Sequence, residues 1–292
     1  KDYAVLLEAY SKSDIIKQQK TYWLDNLSGE LPILELESDY ERPDVKSGEG
    51  KRFSFDISKS LSDAITIRAK ELGVTNNILM MSAWNLVMAK YSGASELIIG
   101  TSVSGRTNEA IKECIGMFVN MLAIRTFPQK DKTLYDYIQE VKYYIAKALE
   151  NQDFQFDTLV DSLNISRQSN RSPLFDVCFD YHNIEQFDLS LEGLTFKQEE
   201  LDTGKIDYDL VLTCSEDSSH SISAFIDYST ALFSAETVGA YADTLVAILE
   251  QISFVDIDDT RECCIKDLHL TSEAELTAIE TFNASSQKSW NY

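Results

Sequence analysis

Apolar positions recur along the chain with two periods, and the changes from one period to the other divide it into elements. Ala4, Leu7, Ile15, Tyr22, Trp23 and Leu27 lie loosely at helical spacing, which predicts a helix over residues 2–28 closed by Ser28-Gly29. Residues 30–50 hold two of the four prolines, several acids, Gly48 and Gly50, and predict a connecting loop. Phe53, Phe55 and Ile57 then alternate with polar residues, the period of a strand. Two helices follow. Ser58 or Ser60 can cap the first, whose face is Leu61, Ala64, Ile65, Arg68 and Leu72 before Gly73. Thr75 caps the second, with Ile78, Leu79, Ser82, Ala83, Leu86 and Ala89 ahead of Ser92-Gly93. The unbroken run Leu97-Ile98-Ile99-Gly100 predicts a strand covered on both faces.

Further along, alternation over residues 118–125 places Phe118, Asn120, Leu122 and Ile124 on one face of a strand. Thr133 caps a helix bearing Leu134, Tyr137, Ile138, Val141, Ile145, Ala148 and Leu149. Two polar runs, NQDFQFD at residues 151–157 and RQSNRSPL at residues 167–174, predict loops. Residues 175–181, 208–214 and 222–228 alternate as strands, and the short polar link 216–220 joins the last two as an antiparallel hairpin. Ser234 caps a last long helix with Val238, Tyr241, Leu245, Ile248, Leu249 and Ile252. Helices beside a mixed sheet predict an α/β layered architecture.

Charge narrows the function classes. With 48 acidic against 26 basic residues the net charge is −22, so neither a nucleic acid nor an anionic membrane surface is an expected partner. No run of about 18 apolar residues exists to span a bilayer. The first residue is Lys and no apolar signal segment follows it, which reads as a piece of a larger protein. The five cysteines lack paired spacing: Cys178 and Cys214 fall in apolar alternation as core residues, and Cys263-Cys264 has no C-x-x-C context. A reducing cytoplasm fits this usage.

Candidate chemistry is sparse. Phosphate-binding glycine loops and H-E-x-x-H are absent, and His182, His220 and His269 are too scattered for a metal site. The run at residues 102–105 (SVSG) only superficially resembles a nucleophile elbow. Asn120, an amide among apolar neighbours, must find partners, because leaving it buried and unpaired costs about 1–3 kcal/mol. It either bonds a nearby loop backbone such as residues 102–106 or faces a substrate channel. Asn151, Gln152 and Asp153 suit a turn after a helix, and Arg171-Ser172-Pro173 a turn entering a strand, with Arg171 anchoring it by a bidentate contact.

These runs resemble the later motifs of nonribosomal peptide synthetase condensation domains. Ile115, Gly116, Phe118, Val119, Asn120 and Arg125 match I/V-G-x-F-V-N-T-x-x-x-R, with Met121 in place of Thr. Asn151, Gln152, Asp153 and Phe156 match H/N-Q-D-x-P-F-E, with Gln155 and Asp157 departing. Arg167, Ser169, Arg171, Pro173 and Leu174 fit R-D-x-S-R-N-P-L, the serine standing at its free position, while Gln168, Asn170 and Ser172 depart. Asp2-Tyr3-Ala4-Val5 is similar to the end of D-Y/F-A-x-W, with Leu6 for Trp.

The resemblance implies a lobe related to chloramphenicol acetyltransferase and the wider CoA-dependent acyltransferases. Residues 1–264 would be the C-terminal lobe of a condensation domain, and residues 265–292 the linker and beginning of an adenylation domain. The implied reaction joins a carrier-bound donor thioester to an acceptor amine. Its implied partners are the N-terminal lobe, upstream and downstream peptidyl carrier proteins and the adenylation domain. Phosphopantetheine arms would enter as substrates, with no cofactor bound directly. Asn120, Gly116, Phe118, Arg106 and Arg125 would line the substrate tunnel, with Asn151, Gln152, Asp153, Arg167, Arg171 and Pro173 as structural motif residues. The family's H-H-x-x-x-D-G run is absent from this chain, so the chain by itself is expected to be inactive. The alternatives are a non-catalytic docking module and half of a stand-alone acyltransferase.

Overall fold

The computed structural model describes residues 8, 10–106, 111, 114–166, 168–183, 203–254, 257–269, 276–277 and 279–282. Arg167 and the run Asp2-Tyr3-Ala4-Val5 lie outside the described residues.

The N-terminal helix is interrupted where its periodicity predicts continuity: Glu8, Tyr10 and Ser11 are helical, and the chain turns at Lys12 and Ser13. Helix α1 spans Asp14–Asn26, because Ser13 adopts extended backbone and its hydroxyl accepts from Ile16 N at 3.3 Å. Asp14 adds negative charge at the helix N-terminus. The break rotates the buried stripe onto Ile16, Gln19 and Trp23, leaving Ile15 exposed. Helices α2 (Lys59–Leu72) and α3 (Asn76–Ser92) are capped as expected, by Ser58 and Thr75, and end at left-handed Gly73 and Gly93. Every residue from Ile78 to Met88 is buried, so α3 is a central helix rather than a one-sided one. It packs against α2, α4 (Leu134–Glu150) and α6 (Ala235–Phe254).

Six strands form one sheet. They are β1 (Gly50–Asp56), β2 (Leu97–Val103), β3 (Asn120–Thr126), β4 (Val177–Asn183), β5 (Leu210–Glu216) and β6 (Ile222–Ser229). Their order is β1-β6-β5-β4-β2-β3, with β4 parallel to both neighbours and the other pairs antiparallel. The expected β5–β6 hairpin is present, and Leu97 to Gly100 are buried on both faces. Strand β3 begins at Asn120 rather than Phe118.

Two further differences bear on the motifs. Phe156 and Asp157 open a short helix, α5 (Phe156–Ser162), so the NQDFQFD run is part turn and part helix. After α7 (Ile257–Glu262), a 3₁₀ turn at Ile265–Asp267 docks on the body. Ile265 and Leu268 are buried, and Ile265 N donates to Lys132 O.

This topology sets the position of the site. In the β2–β3 pair Val103 stands opposite Asn120, so residues 104–119 leave and re-enter the sheet at one end. Strand β4, parallel to β2, delivers His182 and Asn183 to that same end. Connections longer than about 12–15 residues in a compact domain are uncommon and usually functional.

Candidate functional site

Asn120 starts β3 nearly buried, and its amide is spent on the turn that follows α4. Nδ2 donates to Gln152 O at 2.8 Å and Phe154 O at 3.0 Å, while Oδ1 accepts from Phe156 N at 3.0 Å. The partner loop is therefore residues 152–156, not residues 102–106. The turn also caps its own helix: Asn151 Nδ2 donates to Lys147 O and Gln152 Nε2 to Leu149 O, both at 2.8 Å. Such bonds occupy the carbonyls that a helix C-terminus leaves unpaired.

Arg106 organises the other loop at this end. Its Nη1 donates to Ile111 O at 2.6 Å and Cys114 O at 2.9 Å, and its Nη2 to Gly116 O at 3.4 Å. Its guanidinium stacks 4.3 Å from the Phe118 ring. Next to it Gly105 has φ +64°, and a Cβ there would lie 1.8 Å from Phe118 O, so only glycine lets the two backbones approach. The loop tip presents Ile115, Met117 and Val119 to solvent.

The residues 168–174 form a separate assembly at the start of β4. Arg171 does not make the expected bidentate pair. Its Nη1 donates to Asp176 Oδ2 at 2.9 Å, and its Nη2 reaches Glu35 Oε1 at 3.4 Å. Ser172 N donates to Asp176 Oδ1 at 2.8 Å, and Pro173 O accepts from Phe175 N at 2.9 Å. The 30–50 segment holds this loop, through Arg42 Nη1 to Asn170 O, Lys46 Nζ to Ser172 Oγ and the Arg42–Asp209 pair. Burial pushes the Asp209 carboxyl above its usual range despite that partner. A cavity of about 350 Å³ opens between the two segments, lined by Leu31, Ile33, Leu34, Ile98, Leu174 and Phe175.

Arg125 is not gathered with Asn120 and Arg106. It stands five positions along β3, about 16 Å away at roughly 3.3 Å per residue. There it pairs with Glu96 and donates to Asn26 O and Ser28 O, holding the end of α1. Ser102 is engaged by Asp180, which accepts from its N at 2.9 Å and its Oγ at 2.6 Å. Burial raises the thiols of Cys178 and Cys214, which makes them core residues rather than nucleophiles. No cluster of metal-ligating side chains occurs among the described residues, and none of their helices is long and apolar enough to cross a membrane.

The family model of the condensation domain matches residues 1–279. The chain belongs to the condensation domain family. Bacitracin synthase 3 of Bacillus licheniformis is 42% identical over 253 residues, which are 87% of this chain and 4% of that protein. Gramicidin S synthase 2 of Aneurinibacillus migulanus is 36% identical over 253 residues, 86% of this chain and 6% of that protein. The chain thus spans only a small fraction of the length of these curated relatives. Among solved structures, a holo four-domain nonribosomal peptide synthetase bound to AMP and glycine superposes with TM-score 0.81 at 22% identity, over 91% of this chain and 21% of that one. The X-domain from teicoplanin biosynthesis gives TM-score 0.81 at 22% identity, over 91% and 61%. These likenesses show that the chain shares their fold, helices packed on a mixed sheet.

One group that sequence reasoning missed belongs to the site. Gln19 of α1 is buried against the turn at residues 151–154. A glutamine four positions before Trp23 on the apolar face was the available signal.

Proposed function

We propose that this chain is one lobe of a peptide-bond-forming condensation domain and supplies one wall of its substrate tunnel. The observation that carries this reading is the convergence of two family motifs at one end of the sheet. There Asn120, which follows the Arg106-held loop bearing Gly116 and Phe118, bonds the turn at residues 151–154. The substrates are phosphopantetheine-tethered: the acceptor amine nitrogen attacks the donor thioester carbonyl, the C–N bond forms, the C–S bond breaks, and the thiol leaves with the amine's proton. The proton-handling imidazole belongs to the N-terminal lobe, since the three histidines here are His182, His220 and His269 with no adjacent pair.

In this reading Asn120 acts chiefly by holding the tunnel-side turn, and Arg106 by holding its loop. Arg125 supports the lobe from the other end of β3. Asn151, Gln152, Asp153, Arg171 and Pro173 are scaffold, as is Arg167 on the strength of its motif. Residues 265–292 form the linker toward an adenylation domain, its first turn docked on the lobe at Ile265 and Leu268. Carrier proteins on both sides and the N-terminal lobe are the partners, in the cytoplasm.

The test is a peptide-forming turnover assay with donor- and acceptor-loaded carrier proteins. The two-lobe domain should turn over, Asn120→Ala should lose most of that turnover while staying folded, and this chain alone should be inactive. Activity of the chain alone, or full turnover by Asn120→Ala, overturns the reading.

A further inference from the structure

The turn at residues 151–154 has a second support, outside the family motifs, on α1. Gln19 is 5% exposed, and a buried amide of this kind is kept only where its hydrogen bonds are met. Its Oε1 accepts from Asp153 N at 3.1 Å and Phe154 N at 2.9 Å. Its Nε2 reaches Glu150 O and Asp153 Oδ2, both at 3.4 Å. One helical turn later, on the same face, Trp23 Nε1 donates to Asn151 O at 2.8 Å. Tyr10 OH donates to Asp153 Oδ2 at 3.1 Å.

The division of labour is what gives Gln19 a role beyond filling space. Asn120 takes the carbonyls of Gln152 and Phe154 and the N–H of Phe156. Gln19 takes the N–H groups of Asp153 and Phe154. Two amides, one from β3 and one from α1, therefore grip opposite sides of one short backbone segment. The carbonyls of Lys147 and Leu149 near the end of α4 are capped by Asn151 and Gln152 of the turn itself, so at that helix end Gln19 adds only the longer bond to Glu150 O.

We propose that Gln19 is a positioning residue for condensation: it sets the place of the turn at residues 151–154 and, through Gln152 and Phe154, of Asn120. This rests on the reading of the site given above. Gln19→Met keeps the side chain's length and removes all of its hydrogen bonds. Gln19→Glu alone would turn a carboxylate oxygen toward Asp153 Oδ2 and Glu150 O, so the rescue variant is Gln19→Glu with Asp153→Asn, which keeps the two acceptor bonds to the backbone N–H groups of residues 153 and 154 and supplies an amide to face the new carboxylate.

The experiment compares both variants in the two-lobe domain, by amide hydrogen exchange and by steady-state turnover with loaded carriers. Gln19→Met should speed exchange at Asp153 and Phe154 by about tenfold or more, with the core strands still protected. It should lower kcat by about tenfold, within the range that small misplacements cost, with KM for the acceptor carrier little changed. Gln19→Glu with Asp153→Asn should restore protection at both amides and most of kcat. Unchanged exchange in Gln19→Met, or the double variant behaving like it, overturns the positioning role. Lost protection with full turnover instead overturns the assignment of this turn to condensation. Should Gln19→Met fail to fold, the double variant still decides, because it must then keep both protection and turnover.

Discussion

Asn120 is worth more to the lobe than one side chain's burial. Replacing it by Ala leaves Phe156 N without its acceptor and the carbonyls of Gln152 and Phe154 without their donor. A buried polar group left unmatched costs about 1–3 kcal/mol, so Asn120→Ala should destabilise the lobe by about 2–3 kcal/mol. Asn120→Asp keeps Oδ1 but turns an oxygen toward two carbonyls, and should cost at least as much. Urea titration checks both, as a fall in midpoint at constant slope. That Asn120 needed partners was legible in its sequence context, since an amide amid Leu122 and Ile124 must be satisfied. Which loop provides them was not, because the partners lie 32 to 36 positions away and a single sequence carries no record of that pairing. Gln19 was missed for a related reason: glutamine is an ordinary helix-surface residue until a specific acceptor geometry buries it.

At the scale of elements, helix boundaries read well wherever a cap announced them, as at Ser58, Thr75, Thr133 and Ser234. The break at Ser13 escaped because apolar periodicity alone ran through it. Strand packing adds a prediction that periodicity could not make. Gly100 of β2 faces the Phe175 ring, and a Cβ there would lie 2.2 Å from it. Phe175 is itself backed by Phe156 and Tyr208, so it has little room to withdraw. Gly100→Ala should therefore cost about 1–3 kcal/mol of overpacking, read as a lowered thermal midpoint, and Phe175→Leu in the same chain should recover part of it.

The β5–β6 hairpin carries a pH-dependent tie to α3. Burial alone would raise the Glu216 carboxyl, but hydrogen bonds from Tyr181, His220 and Asn76 together hold it below its ordinary value. Its folded pKa is thus depressed. The stability it contributes is full above about pH 4.5, the value for the unfolded chain, and is lost as pH falls through the lowered folded value. Glu216→Gln should flatten the acid-side loss of stability relative to the unmodified chain. Denaturation midpoints of the two followed downward from about pH 6 test this, and parallel curves would reject the tie.

Over the whole molecule two forces oppose each other at one place. The tip of the loop held by Arg106 exposes Ile115 and Met117 fully or nearly so, at 104% and 82%, with Val119 at 46%. Clustered apolar exposure of this kind favours association. The net charge of −22 keeps copies apart. Salt decides between them, since screening shortens the electrostatic range from about 10 Å at 0.1 M to about 3 Å at 1 M while leaving apolar burial favourable. The chain should consequently be monomeric in dilute buffer and gain mass in light scattering as salt and concentration rise. Replacing Ile115 and Met117 together by Ser should abolish that gain without lowering the denaturation midpoint, because neither side chain is buried. Adding the N-terminal lobe should abolish it too, if that lobe covers the tip. A salt-independent monomer at high concentration would show that the exposed tip does not drive association.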